Sequence, residues 1–183
     1  NGNLLWSKIY DYGEIQHSKL ATVYELSGGD LLIGGSTTYS TPSIMVIRTN
    51  SVGDTLWKRL IPTVNGNVNT NFDLISNHQF LSFSRGNTAI NLIKTDTNAT
   101  LIFNKTLADY FMPKAAAELS NGDLILTGEK NGQLYLMRTN SIGDSLWTKQ
   151  YQFGTGDFGS AIQPLANGEF LIGGATSGFA GFS

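Results

Sequence analysis

The chain has 183 residues, 12 Lys and Arg against 14 Asp and Glu for a net charge of -2, and no Cys. Without a basic tract it has nothing to neutralise a row of phosphates, so nucleic acid is not an expected partner; without Cys it has no disulfide, thiolate metal site or thiol nucleophile. No apolar run approaches the ~20 residues of a membrane helix, so membrane insertion is not expected, and Asn1-Gly2-Asn3 is neither an initiator Met nor a signal peptide, which reads as a piece of something longer.

The first predicted element carries Leu4-Leu5-Trp6-Ser7-Lys8, an aromatic followed two positions later by a basic residue. The same phrase returns at Trp57 with Arg59, Phe103 with Lys105 and Trp147 with Lys149, spaced by 51, 46 and 44 residues. A period of this size belongs to units stacked into arrays or rings. Between aromatics, two further phrases recur. Gly28-Gly29, Asn121-Gly122 and Asn167-Gly168 sit between short apolar runs and supply the positive φ of a tight hairpin, with Asn77-His78 as a degenerate copy. Ile44 to Thr49, Ile90 to Thr95 and Leu134 to Thr139 then end in Arg-Thr or Lys-Thr.

Each unit thus reads as four antiparallel strands. Strand A enters the Asn-Gly hairpin, B leaves it, C ends in the basic residue and Thr, and D carries the aromatic. The predicted extents are 1–10 (a lone D strand), then 18–61, 69–107, 113–151 and 159–183. Lys114-Ala115-Ala116-Ala117-Glu118 favours helix by propensity, but it occupies the place of strand A and is assigned to strand. Four short strands per unit of about 45 residues match the blades of a β-propeller, an all-β fold within a single domain over 1–183.

Alternation puts Trp6, Lys8 and Tyr10 on one face of strand D, and Trp57, Phe103 and Trp147 on the equivalent face of later copies. Leu5, Leu56, Ile102 and Leu146 point the other way, which predicts an apolar anchor on both faces of a sheet held between neighbours. Lys8, Arg59, Lys105 and Lys149 hold one repeat position, and Arg48, Lys94 and Arg138 another. Charges locked to the period are read as structural, their heads near hairpin carbonyls or acids.

Catalytic constellations are weak. His17 and His78 hold non-equivalent positions without metal-ligand spacing, and Ser18 beside His17 is adjacency only. Gly34-Gly35 and Gly173-Gly174 precede no helix that would complete a phosphate loop, and are expected to end strands. Asp54 and Asp144 lack the companion carboxylates of a calcium loop and read as turn residues. No metal or cofactor is expected.

The phrases Asn1-Gly2-Asn3-Leu4-Leu5-Trp6, Gly53-Asp54-Thr55-Leu56-Trp57 and Gly143-Asp144-Ser145-Leu146-Trp147, alternating with Gly28-Gly29-Asp30-Leu31-Leu32-Ile33-Gly34-Gly35, resemble the tandem repeats of secreted Bacteroidetes β-propeller proteins. The resemblance spans essentially the whole chain. It implies a location outside the cytoplasm, secreted or at the cell surface, and cargo of the type IX secretion kind. Within it, Asp54-Thr55-Leu56 and Asp144-Ser145-Leu146 resemble the O-glycosylation sequons of exported proteins, making Thr55 and Ser145 candidate acceptors, with ordinary strand-start hydroxyls the preferred reading.

The register opens on a D strand without its A, B and C, and stops where a C strand should begin. A closed four-blade ring with the chain's ends clasped is one solution; a fragment of a larger ring is the favoured one. In such blades the AB and CD turns share one face and the DA and BC connections the other. The DA connections, 11–18, 62–69, 108–113 and 152–159, and the BC connections 36–43 and 85–88 vary from unit to unit. Variable loops on a rigid repeat are where binding chemistry is usually kept. Tyr12, Tyr39, Tyr110, Phe111, Phe153 and Phe158 lie in or beside them and are the candidate binding residues. The expected function is a non-catalytic extracellular scaffold or adhesion module that binds a glycan or protein through this DA/BC face. A polysaccharide lyase or hydrolase with its site at the ring axis is the alternative, disfavoured because the acids lie mostly in turns rather than as a facing pair; a spacer or lattice subunit is the other.

Overall fold

A computed structural model describes residues 2–10, 18–37, 42–63, 70–75, 79–85 and 88–178. It is all-β. Among the described residues there is no helix, hence none long and apolar enough to cross a membrane. Strands β1 (Ser18–Glu25), β2 (Leu31–Thr37), β3 (Ser43–Thr49) and β4 (Thr55–Pro62) form the first sheet in chain order. The second holds β5 (Thr70–Ile75), β6 (Gln79–Arg85), β7 (Ile90–Asp96) and β8 (Leu101–Leu107). The third holds β9 (Met112–Glu118), β10 (Leu124–Lys130), β11 (Gln133–Thr139) and β12 (Ser145–Tyr151). A two-stranded sheet, β13 (Thr155–Pro164) with β14 (Phe170–Ser177), completes the described order. Every pairing is antiparallel and between chain neighbours. The Ala-rich run is β9, as its place in the repeat requires, so period outweighed propensity.

The sheets pack in chain order, chiefly through their first and second strands: β1 and β2 against β5, β5 and β6 against β9, and β9 and β10 against β13. The middle strands of the first three sheets are buried along most of their length, and their sequences are mainly apolar, with Asn91 breaking the run in β7. Leu32, Ile44, Val46, Phe80 and Ile93 fill the space between the first two sheets. Leu81, Phe83, Leu92, Phe103, Phe111, Leu124 and Tyr135 fill the next.

Glycines at one repeat position shape the first strands. Gly35, Gly128 and Gly174 lie where a Cβ would strike the backbone carbonyl of the partner strand, at Lys19, Met112 and Phe158. At each of these places the register shifts by a β-bulge. In the second sheet the equivalent residue is Ser84, and β5 pairs β6 without a shift. Bulge and glycine come and go together. These glycines sit inside β2, β10 and β14, so Gly34-Gly35 and Gly173-Gly174 do not end strands as expected.

The last strands make the joints. Gly143, at φ +84°, lies under the Phe103 ring and the Lys105 stem, a built Cβ standing 3.0 Å from each. Lys105 Nζ donates to Asp144 at 2.7 Å. Thus β8 of one sheet grips the β11–β12 turn of the next. Residues 2–10 do the same to the β3–β4 turn: Trp6 lies over Gly53, Tyr10 donates to the Gly53 carbonyl at 2.9 Å, and Lys8 pairs with Asp54. Asn50 and Asn140 brace these turns by accepting the Asp54 and Asp144 amides, both at 2.8 Å. The middle joint varies the parts. Ala99, at φ +57°, replaces glycine and is buried in the cluster against which Trp57 packs, while Thr100 offers Arg59 no carboxylate.

Two expectations are corrected. Residues 2–10 form no strand, because no partner ladder flanks them among the described residues, although their side chains make the contacts of a D strand. The opposite face of the last strands is not an inter-sheet anchor: Leu5, Leu56, Ile102 and Leu146 are 89%, 53%, 45% and 53% exposed. The sheets meet chiefly through their first and second strands, with β11 also against β13, and the contacts of the fourth strands among the described residues lie on the aromatic face. Burial follows that joint. Phe103 is buried, Trp57 and Trp147 are half-buried, and Trp6 is partly exposed.

The repeat-locked cations are structural. Arg48 and Arg138, directly across from Trp57 and Trp147, reach Asp30 and Asp123 of their own sheet's first hairpin at 2.8 and 2.7 Å. In the second sheet Gln79 stands where the first and third have Asp, and Lys94 instead crosses to Glu118 of the third sheet at 2.9 Å, both side chains over nine-tenths buried. Removing one partner of a buried pair strands a charge, at a cost of about 3–5 kcal/mol, whereas replacing both with apolar groups is often neutral. Lys94→Met should therefore lose about 3–5 kcal/mol in urea denaturation, and Lys94→Met with Glu118→Leu should regain most of it. Equal losses in the single and double variants would show that the pair is not what joins the sheets.

Candidate functional site

At one end of the third sheet three connections converge: 108–111 between β8 and β9, the two-residue turn Asn131-Gly132 between β10 and β11, and 152–154 between β12 and β13. Asn131 and Gly132 at φ +54° and +74° make a tight hairpin that projects β10 and β11 to this end. Its neighbours hold it. The Gly132 carbonyl accepts the Asp157 amide at 2.8 Å, Glu129 Oε1 accepts the Gly132 amide at 3.2 Å, and Gln133 Nε2 donates to Gln152 Oε1 at 3.2 Å. On the other side Asp109 takes the Lys130 ammonium and the Tyr135 hydroxyl, and the Lys130 Nζ lies 4.8 Å from the Tyr135 ring centre. These are BC and DA connections, gathered at one end as the alternating order requires.

Charge at the site is strongly committed. The bond to Asp109 raises the Lys130 pKa above the usual lysine value against the opposing effect of burial. Burial, then the bond to Asp109, pushes the Tyr135 hydroxyl up. Asp157 is 1% exposed, yet the nearby Thr176 hydroxyl, with the Phe153 and Gly154 amides, holds its carboxyl below the usual range despite burial. Its Oδ2 accepts those amides at 2.6 and 3.1 Å. Its Oδ1 and Thr176 Oγ1 do not reach bonding geometry with each other, and both are buried without a partner among the described residues.

The candidate binding residues divide. Tyr110, 36% exposed, is covered on one side by the Arg85 guanidinium, 4.4 Å from its ring centre. Phe153 is 64% exposed and stacks on Tyr151, ring centres 6.5 Å apart. Both stand at the DA/BC end. Phe111 is 1% exposed, packs on Tyr135 at 4.7 Å and belongs to the core, because the chain turns inward there to enter β9. Phe158 lies within β13, which begins earlier than the period implies, and the Lys114 ammonium sits 4.0 Å from its ring centre. Tyr12 and Tyr39 lie outside the described residues, as do His17 and His78. Thr55 and Ser145 are exposed at the first positions of β4 and β12. Asp109, Lys130, Tyr135 and Asp157 escaped sequence reasoning. One signal was present: Tyr135 holds the repeat position of Met45 and Asn91, a polar-tipped ring where the first sheet is apolar.

No protein-family model and no curated protein matches the chain. Nineteen solved chains match it in structure. Among them is a protein of unknown function from Bacteroides caccae, 17% identical with a TM-score of 0.58 over 87% of this chain. This chain spans 57% of that protein's length. The likeness establishes the all-β fold alone.

The signs of the shifts predict an alkaline response. Lys130 and Tyr135 keep their protons to higher pH when folded, so the Asp109 cluster stabilises fully below about pH 10 and is lost as pH rises through the folded values. Asp109→Asn should lose about 1–3 kcal/mol near pH 7 and show a flatter decline between about pH 9 and 11.5 in urea midpoints. An unchanged alkaline limb would contradict the assignment.

Proposed function

We propose that the chain is a non-catalytic recognition module, a set of propeller blades from a larger ring, that binds a protein or glycan through the DA/BC end. What supports the ring is that the first strands of successive sheets lie against one another in chain order, as inner strands do around an axis. The observation that carries the binding role is the pairing of exposed aromatic surface, Tyr110 and Phe153, with connections braced by cross-loop hydrogen bonds. Rigid loops bearing aromatics lose little entropy when they bind. The nearby carboxylates already hold donors: Asp109 has Lys130 and Tyr135, Glu129 the Gly132 amide, and Asp157 two amides. That favours recognition over a facing acid pair for hydrolysis. A location outside the cytoplasm rests on the resemblance to secreted Bacteroidetes repeat proteins, as does O-glycosylation of Thr55 and Ser145.

Arrays of glycans and of extracellular protein domains, probed with wild type and with Tyr110→Ala/Phe153→Ala, test this reading. The wild type should bind a subset and the variant should lose at least tenfold while unfolding at the same urea concentration. Turnover of a polysaccharide on the array, or equal binding by the variant, would overturn it.

A further inference from the structure

Beside the DA connection 152–154, between β11 and the β13–β14 sheet, lies a cavity of about 250 Å³. Leu134, Phe153, Phe158 and Ile172 wall it, and Asp157 and Thr176 supply its polar end. Two atoms there are unspent. Asp157 Oδ1 and Thr176 Oγ1 are both buried without a hydrogen-bond partner among the described residues, and no ion pair among those residues neutralises Asp157. Two loop amides satisfy Asp157 Oδ2, but Oδ1 has no donor and the carboxylate no counter-charge among the described residues, and buried carboxylates in natural proteins are commonly paired.

From this we infer that the pocket takes a primary alkylammonium group, the tip of a lysine side chain from a partner protein. If the Thr176 hydroxyl turns toward Oδ1, only lone pairs remain at the polar end, so the occupant must be a donor. A neutral donor would satisfy Oδ1 without supplying a counter-charge; an ammonium does both. The walls suit the stem behind the charge, because four methylenes gain from Leu134, Ile172 and the phenylalanines, whereas sugar hydroxyls would be stripped of water against them. Phe158 already receives one ammonium of this chain, that of Lys114, at 4.0 Å, which shows the ring in a cation-binding role. The inference deepens the recognition role proposed above and rests on it for its biological sense, choosing protein over glycan.

Titration of the 15N-labelled chain with n-butylammonium chloride, against 1-butanol as the neutral counterpart, tests the pocket directly. The Phe153 and Gly154 amides should shift and saturate with the amine and not with the alcohol. Asp157→Asn should weaken the amine at least tenfold. Because that variant also touches the loop amides, Thr176→Val serves as a milder second change, expected to weaken binding severalfold while the rest of the spectrum stays fixed. Nα-acetyl-lysine amide should bind more tightly than methyl glucosaminide. Equal shifts with butanol, no saturation, unaltered affinity in Asp157→Asn, or preference for the amino sugar would each overturn the proposal. Array binding without amine binding would remove this pocket alone; amine binding without any array partner would remove the recognition role alone.

Discussion

The structure depends on one repeated joint, in which an aromatic ring and a lysine stem from the last strand of one sheet close over a positive-φ residue in the last turn of the next. At Phe103 and Lys105 on Gly143 and Asp144 the joint is complete. At Trp6 and Lys8 on Gly53 and Asp54 the same parts work from a segment that forms no strand. Backbone pairing holds each sheet together, but it does not join sheets. Their union comes from the apolar faces of the first and second strands and from this joint.

Departures from the repeat are compensated locally, which argues that the positions matter and not merely the residues. Ser84 replaces glycine and the bulge disappears. Gln79 removes an in-sheet carboxylate, and Lys94 turns to Glu118 across the interface. Ala99 replaces the turn glycine and joins the cluster beneath Trp57. The second sheet is the least regular in sequence, yet among the described residues it supplies the one ion pair over nine-tenths buried on both sides.

Strand order, antiparallel sense and the count of four in each of the first three sheets were legible because period two, Asn-Gly turns and a fourfold register all agree, even for the Ala-rich β9. Burial was less legible. A single sequence reports which residues alternate, not how closely two sheets approach, so the outward row at Leu56, Ile102 and Leu146 read as an anchor although it faces water. Phe111 failed as an exposed loop aromatic because the chain turns inward just before β9, and Phe158 because β13 begins four residues before its expected start at 159. The Asp109 cluster stayed hidden because Lys130 and Tyr135 lie 21 and 26 positions from their acid, separations that match no spacing of the repeat. Asp157 stayed hidden for a related reason: its setting exists only where the connection 152–154 meets the turn at Asn131-Gly132. Regular positions spell the scaffold, and irregular ones acquire meaning only once it is folded.

The division of labour between joints and loops stands or falls with the joint itself. Gly143 and Gly168 have nearly the same φ, +84° and +83°, but a Cβ at the first meets Phe103 and Lys105 at 3.0 Å and a Cβ at the second meets nothing within 4 Å. Urea denaturation of Gly143→Ala and Gly168→Ala isolates the joint from backbone strain. Strain alone should cost each about 1 kcal/mol; the joint predicts a further loss of about 1–3 kcal/mol in Gly143→Ala only. Equal losses in the two variants would contradict it.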